Sequence, residues 1–423
     1  MGAGEFVKIT KKIKEEVCGE EYKNKNKKSK KDFTRNRKVG FYETCMLVLE
    51  SCKKGMRSAI KDFMKATGAE YQCYSNAAFC KARQKVKPEA FHEIMKMAAD
   101  GFYEELQAKT FEGYRIFAID GSDLNLPNTE ETMEVFGSQP YQHCHQVQAI
   151  LSMMYDVLNH IVLDVRIGKA LGNERKLALE HLQEYDKYKG EKAIITADRG
   201  YPSEELIEAL ENQGAYYVIR TNKNEFWKEI RDIKGTEDTC IERVCKNKKT
   251  LKVRVLTIKL SDEKDEILMT NLFDENLGID FFKEVYKLRW KIETNYNLIK
   301  NQMQLENFSC ILPDCILQDI YAQMVLLNLA ACLEADCDDE IAKINKEGDR
   351  KYPVVINRAV CVSELKNSVI ELFWASPRKQ TKIFNNIRKV MLKNLTVIRD
   401  GRFFPRDNPK HYSLKFPGNY KAI

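Results

Sequence analysis

The apolar positions of this chain change period along its length. Over residues 41–108 they recur about every 3.6 positions, as in Met46, Leu47 and Leu49 and then Ile60, Phe63 and Met64, which predicts short helices. From Arg115 the apolar runs become short, rich in branched residues and separated by turn signals such as Leu158-Asn159-His160. Residues 115–119, 146–155 and 161–167 read as three adjoining strands. A helix over 173–188 follows with Asn173 placed to cap it, then a buried strand 193–197, a helix 203–212 with Ser203 at its N-cap, and a strand 216–220. Strands first and a β-α-β-α-β alternation afterwards predict an α/β fold: a mixed five-stranded sheet with helices on both faces. Residues 225–272 break the alternation with β-like segments 240–244, 250–260 and 266–271, a β-rich insertion. A long helix over 280–304 and further helices over 316–334, 363–375 and 378–395 complete the pattern.

Composition narrows the class. The 423 residues are 43% hydrophobic, 31% charged and 10% aromatic, the profile of a globular chain with room for one large core and smaller satellites. The 13 cysteines are irregularly spaced and no cleavable apolar leader precedes them, so a reducing cytoplasm is expected. The longest uncharged apolar run, 320–333, falls short of the ~20 residues that span a bilayer, and no membrane partner is expected.

The net charge of +7 is unevenly placed. Residues 1–40 carry 13 basic against 6 acidic side chains and residues 376–423 carry 12 against 2, while the 335 residues between carry 44 against 54. A basic arm, an acidic body and a basic tail point to a polyanion gripped from the ends. In the tail Arg388, Lys389, Lys393, Arg399, Arg402 and Arg406 alternate with Phe403, Phe404 and Tyr412, mixing phosphate contacts with stacking surfaces. Residues 75–83 suit a turn and a helix that expose Lys81, Arg83 and Lys85, so the helical segment is a candidate DNA-binding module. The resulting division is a basic arm 1–40, a helical DNA-binding domain 41–110, a catalytic core 111–224 and 275–310 interrupted by the insertion 225–274, and a helical C-terminal region 311–423 with its basic tail.

Three carboxylates supply candidate chemistry. Asp120 ends the first strand directly before Gly121, and Asp198 ends the strand 193–197 in Asp198-Arg199-Gly200-Tyr201. Sites in open α/β sheets gather at the carboxyl ends of strands. Two close carboxylates repel unless a cation lies between them, and hard oxygen ligands select Mg²⁺ or Mn²⁺. Asp123 competes with Asp120 for this place. Farther on, Tyr286, Arg289, Glu293 and Lys300 share an arc of about 60° on one helix at about 100° per residue. That arc borders the apolar stripe of Val285, Leu288, Ile292, Tyr296 and Ile299 instead of opposing it, which turns Glu293 toward the end of the sheet.

The spacing Tyr286-x2-Arg289-x3-Glu293-x6-Lys300 resembles the Y-x2-R-x3-E-x6-K signature of cut-and-paste bacterial transposases of insertion sequence family four, a branch of the DDE transposases with an RNase H-like fold. Asp120-Gly121-Ser122 resembles that family's first aspartate element, Asp198-Arg199-Gly200-Tyr201 its second, and residues 268–272 the strand before its glutamate helix; the resemblance spans about residues 110–310. It implies an insertion-sequence transposase, a mobile-element enzyme of DNA recombination that binds terminal inverted repeats. Asp120, Asp198 and Glu293 would be its catalytic residues and the ligands of two Mg²⁺ or Mn²⁺ ions for phosphodiester cleavage and strand transfer. Tyr286, Arg289 and Lys300 would grip the DNA, with Arg199 and Arg220 as further phosphate contacts and Trp227, in competition with Phe226, as a stacking platform for a flipped base. The implied partners are double-stranded DNA, both transposon ends and target, and a second copy of the chain in a paired-end homodimer at the bacterial nucleoid. The alternative is a domesticated relative acting as a nuclease or as a DNA-binding regulator only.

Other patterns are distractors. Cys240/Cys245, Cys310/Cys315 and Cys332/Cys337 share a four-residue gap without the C-x2-C spacing of zinc sites, and His143-Cys144-His145 reads as incidental. Glu174, in the polar pair Asn173-Glu174, reads at most as a supporting residue of the carboxylate site.

Overall fold

The computed structural model describes residues 3–35, 39–52, 55–68, 74–141, 144–188, 192–222, 226–233, 237–246, 248–261, 264–348 and 350–399. His143 and the tail positions beyond Arg399 lie outside them. The chain divides into two compact units, one joining Met1–Gln107 to Leu298–Ile423 and the other formed by Ala108–Asn297. The helical ends of the chain therefore share one unit, where the sequence pattern separated them.

The first unit opens with α1 (Ala3–Cys18), α2 (Glu20–Asn26), α3 (Phe41–Ser51), α4 (Met56–Ala66), α5 (Asn76–Arg83) and α6 (Glu89–Glu105). The basic arm is thus mostly helical. Phe6, Ile9, Ile13 and Val17 line one face of α1 and are buried. Its lysines meet acids of α6 in the pairs Lys8–Glu105 and Lys12–Glu104, and Lys25 beyond it meets Glu93. Arg83 is the larger correction. Expected on an exposed face, it is buried and donates to Asp319 at 2.9 Å, to the Gln318 amide oxygen at 2.6 Å and to the Cys315 carbonyl at 2.6 Å.

The second unit contains β1 (Arg115–Asn125), α7 (Glu130–Phe136), β2 (Ser138–Tyr141), β3 (Cys144–Asp156), β4 (Ile161–Lys169), α8 (Glu174–Tyr185), β5 (Ala193–Ala197), α9 (Glu204–Asn212), β6 (Tyr216–Thr221), α10 (Lys228–Arg231), β7 (Asp238–Val244), β8 (Thr250–Ser261), β9 (Lys264–Thr270) and α11 (Ile279–Asn297). Returning to the first unit, the chain forms a π-helical turn (Leu298–Gln302), α12 (Pro313–Asp336), α13 (Asp338–Glu347), β10 (Val354–Ile356), α14 (Arg358–Trp374), α15 (Pro377–Lys393) and β11 (Leu395–Val397). α12 is long and apolar enough to cross a membrane, but 89% of its most apolar stretch is buried inside the protein, so its apolarity is used in packing.

The nine strands of the second unit form one mixed sheet. β3 pairs antiparallel with β1 and β4, β1 runs parallel to β5, and β5 runs parallel to β6. These five strands match the expected mixed sheet. The sheet is larger than expected because the insertion continues it: β9 pairs antiparallel with β6, β8 with β9 and β7 with β8. The open edge of β6 presents unpaired backbone groups, which β9 satisfies. Every residue of β5 is buried, as required of a parallel strand covered on both faces.

α8 is tied to the sheet by a buried polar chain that no sequence pattern announced. The Ser152 hydroxyl lies 3.0 Å from His181 Nε2, and His181 Nδ1 lies 2.8 Å from Asp164, which also accepts from Arg166 at 2.6 Å. The order Ser–His–Asp is that of a hydrolytic triad, but all three side chains are inaccessible to any substrate. Here they fix α8 against β3 and β4.

The Arg83 cluster gives a direct test of the first unit. Arg83→Ala strands the buried Asp319 charge and is expected to lower stability by about 3–5 kcal/mol in chemical denaturation, whereas Arg83→Met combined with Asp319→Leu recovers most of that loss.

Candidate active site

β1 runs on past Asp120, so Asp120 lies within the strand where the sequence placed it at the end. The reason is that β1 keeps its antiparallel register with β3 through Asn125, whereas its parallel pairing with β5 stops at Ala118 opposite Thr196. Asp120 thus stands two residues beyond the end of the parallel ladder. Asp198 directly follows β5, past its last pairing partners, Thr196 with β1 and Ala197 with β6. Asp123 is exposed and three positions along the strand from Asp120, hence on the opposite face.

α11 supplies the third carboxylate. Val285, Ile292 and Tyr296 are buried, and the helix packs across β1, β5 and β6. The Tyr296 hydroxyl donates to the carbonyls of Asp120 at 2.7 Å and Leu151 at 2.9 Å. Glu293 lies one turn earlier on the same face. Arg289 connects the groups: its guanidinium is 3.9 Å from the Asp120 carboxylate and 3.0 Å from that of Glu293. With its side chain only 8% exposed, Arg289 is buried among the carboxylates it was expected to accompany from the surface.

Burial pushes the Asp120 carboxyl up to about 7; Arg289 opposes the rise, while the Asp198 and Glu293 charges add to it. Three acids acting on one another in a half-buried place form the donor set a hard divalent cation takes. Among the described residues, however, no three His, Cys, Asp or Glu side chains converge as a metal site requires. The Arg289 guanidinium supplies positive charge between Asp120 and Glu293. Its Nε is buried with no hydrogen-bond partner, so the guanidinium is incompletely satisfied where it sits. The donor chemistry fits a divalent ion, and the ligands would have to exchange Arg289 for it.

The remaining residues of the signature divide. Tyr286 is buried with the Arg289 guanidinium 5.3 Å above its ring. Arg199 is exposed beside Asp198. Arg220, on β6, pairs with Glu266 across the β6–β9 ladder at 3.5 Å. Lys300 falls in the π-helical turn Leu298–Gln302, whose wider winding breaks the 100° reckoning that put it on the arc of Glu293, and it belongs to the other unit. Trp227 is 4% exposed and stacked against Phe226 with centroids 4.5 Å apart, so Phe226 is the more accessible ring of the pair. Glu174 stands at the start of α8. Its carboxylate lies against Gly121, and Tyr201 donates to it at 3.0 Å.

A family model for the transposase DDE domain matches residues 111–329, just over half of the chain. The chain belongs to the transposase DDE domain family. This DDE transposase is 22% identical over 347 residues, 78% of its length and 75% of the relative's, to the transposase InsG for insertion sequence element IS4 of Escherichia coli (strain K12). It is 25% identical over 267 residues, 61% of its length and 70% of the relative's, to a putative transposase for insertion sequence element IS4SA of Synechocystis sp. (strain ATCC 27184 / PCC 6803 / Kazusa). A solved piggyBac transposase synaptic complex with hairpin DNA is similar over 100% of this chain and 92% of its own, with a TM-score of 0.45 and 12% identity, a likeness too slight to carry an argument. As a DDE transposase the protein is a metal-dependent enzyme of DNA strand cleavage and transfer, and its family implies divalent ions, generally Mg²⁺ or Mn²⁺.

The raised Asp120 carboxyl predicts a stability signature in the metal-free transposase. A carboxyl raised in the fold costs stability as pH climbs from its ordinary range near 4 to about 7, and the cost is constant above that. Asp120→Asn is therefore expected to melt a few degrees above the natural protein at pH 8 in chelator, with the gap closing near pH 4.5 in a thermal melt series.

Proposed function

We propose that Asp120, Asp198 and Glu293 are the catalytic carboxylates of an RNase H-like core and that they hold two Mg²⁺ or Mn²⁺ ions. The observation that carries this reading is that Asp120 and Asp198 lie just beyond the pairing of two central parallel strands and that the charges of Asp198 and Glu293 both act on Asp120, with Arg289 between Asp120 and Glu293. The strand directions support the RNase H-like reading: three antiparallel strands followed by two parallel to the first. Bound there, the ions supply Lewis acidity to the attacking and leaving oxygens of the phosphodiester. The chain's own residues do the rest. Arg289, exchanged out from between the carboxylates, turns its donors to a phosphate of the transposon end, with the Tyr286 hydroxyl beside it. Arg199, Arg220 and Lys300 add phosphate contacts, and the Phe226–Trp227 pair offers its accessible ring, Phe226, to an unstacked base.

The substrate in this reading is double-stranded DNA. The relatives' names attach them to insertion sequence elements, and we assign this enzyme to cut-and-paste movement of its own element in a bacterial cytoplasm, with its terminal inverted repeats paired by two copies of the chain. Residues 41–110 with the preceding arm serve end binding. A cleft of about 1260 Å³ is lined by Lys30, Lys31, Arg35, Lys81 and Lys85 together with Phe33, and no carboxylate lines it among the described residues. The competing reading, a relative retained only for binding or regulation, gives no use to the mutual charge interaction of Asp120 with Asp198 and Glu293.

Cleavage of DNA carrying the gene's flanking ends, at the element boundary and only with Mg²⁺ or Mn²⁺, tests the assignment; Glu293→Gln is expected to reduce it to background while leaving end binding intact. End binding without cleavage by either protein, under conditions that pair the ends, establishes the regulatory reading instead. For the cleft, replacing Lys31, Arg35 and Lys81 together by Ala is expected to flatten the slope of log binding constant against log salt by up to about 3, since each phosphate contact contributes about 0.9.

A further inference from the structure

The segment that carries Asp198 is not held by the sheet. β5 makes its last ladder pairs at Thr196 with β1 and Ala197 with β6, and within the following turn the Asp198 carboxylate accepts from the Gly200 amide at 2.7 Å and its carbonyl from the Tyr201 amide at 3.2 Å. β1, by contrast, is held in register through Asp120 and Gly121 by β3. Metal chemistry needs these two carboxylates at a fixed separation, so something must tie the loose segment to the firm one.

The first two residues of α8 do this. Glu174 sits so close to β1 that a Cβ on Gly121 would lie 2.9 Å from its carboxyl carbon and 3.0 and 3.2 Å from its oxygens. Gly121, immediately after Asp120, is therefore required by close approach and not by its backbone angles. From the other side the hydroxyl of Tyr201, a side chain only 1% exposed and three residues after Asp198, donates to Glu174 Oε2 at 3.0 Å. Arg175 Nε donates to the Gly200 carbonyl at 2.8 Å, a second tie from α8 to the same turn. No cation pairs with Glu174 among the described residues. α8 is itself anchored through the buried His181–Asp164 contact, so the ties rest on a fixed support.

We propose that Glu174 is a positioning residue of the transposase: wedged against Gly121 and bonded to Tyr201, it braces the Asp198 turn against β1 and sets the separation of Asp120 and Asp198. This rests on the assignment of those aspartates as metal ligands. What the strut requires of Glu174 is an acceptor of this length, not a negative charge, which separates it from a fourth metal ligand.

Mn²⁺ binding by the full chain, followed by electron paramagnetic resonance, and boundary cleavage at varied Mg²⁺ test this together, with folding checked by thermal melts. Glu174→Gln keeps the acceptor and is expected to stay within about twofold of the natural protein in both. Tyr201→Phe and Glu174→Ala each break the strut and are expected to weaken Mn²⁺ binding at least fivefold and to raise the Mg²⁺ needed for half-maximal cleavage, with end binding unchanged; the double variant is expected to be no worse than either alone. The strut is overturned if Glu174→Gln falls as far as Glu174→Ala while Tyr201→Phe matches the natural protein, since the charge then acts directly. It is overturned equally if all three variants match it. Mn²⁺ bound at Asp120 without cleavage leaves the strut standing on its binding data and removes the transposase assignment of the site, whereas no Mn²⁺ binding by the natural protein overturns both.

Discussion

The second unit is organised around one electrostatic constraint: three carboxylates brought to the end of a buried sheet must be kept together against their own repulsion. Asp120 shows the cost in a carboxyl raised to about 7 by burial, with Asp198 and Glu293 adding to the rise. Arg289 offsets it by setting one guanidinium against Asp120 and Glu293 at once. Its Nε remains buried without a hydrogen-bond partner.

The scaffold answers the constraint with rigid supports from several directions. β1 stays in its antiparallel ladder past Asp120, which denies this residue the freedom of a strand end. Tyr296 bonds the carbonyls of Asp120 and Leu151 together, one turn along α11 from Glu293, so the helix that carries the third acid is pinned to the strand that carries the first. α8, held by Ser152, His181 and Asp164 in a fully buried chain, supports the second. Each aspartate and the glutamate thus has a neighbour one or three residues on, Gly121, Tyr201 and Tyr296, that fastens it to another element.

Charge elsewhere is handled differently. The basic arm sets several lysines against the carboxylates of α6, and the apolar stripe of α1 supplies the burial that makes this folding favourable. Positive charge left for a polyanion concentrates in the cleft around Lys31 and Lys81. The insertion, likewise, is no separate body: β9 completes the hydrogen bonding of β6, and the sheet grows outward to β7, whose residues are half or fully exposed along its length.

Much of this was legible in the sequence because it depends on local period and spacing. β5 appears at its bounds from a run of four apolar residues and Thr196, α9 begins after the Ser203 cap, and Glu293 is placed on the inward edge of its helix by the stripe of Val285 and Ile292. Asp120 and Asp198 were read from their places at strand ends, and Arg289 and Glu293 from their spacing on one helix. What only tertiary structure decided are contacts between residues far apart in the chain: Arg83 with Asp319, Lys12 with Glu104, Arg289 turned inward, and Glu174 on Gly121. Helical period shows which side of a helix a charge occupies, but not whether the element arriving there brings an acid to bury it or leaves it to solvent. Nor can period foresee the π-helical turn that takes Lys300 off the arc, since that change of winding is settled by the packing around it rather than by the order of the residues within it.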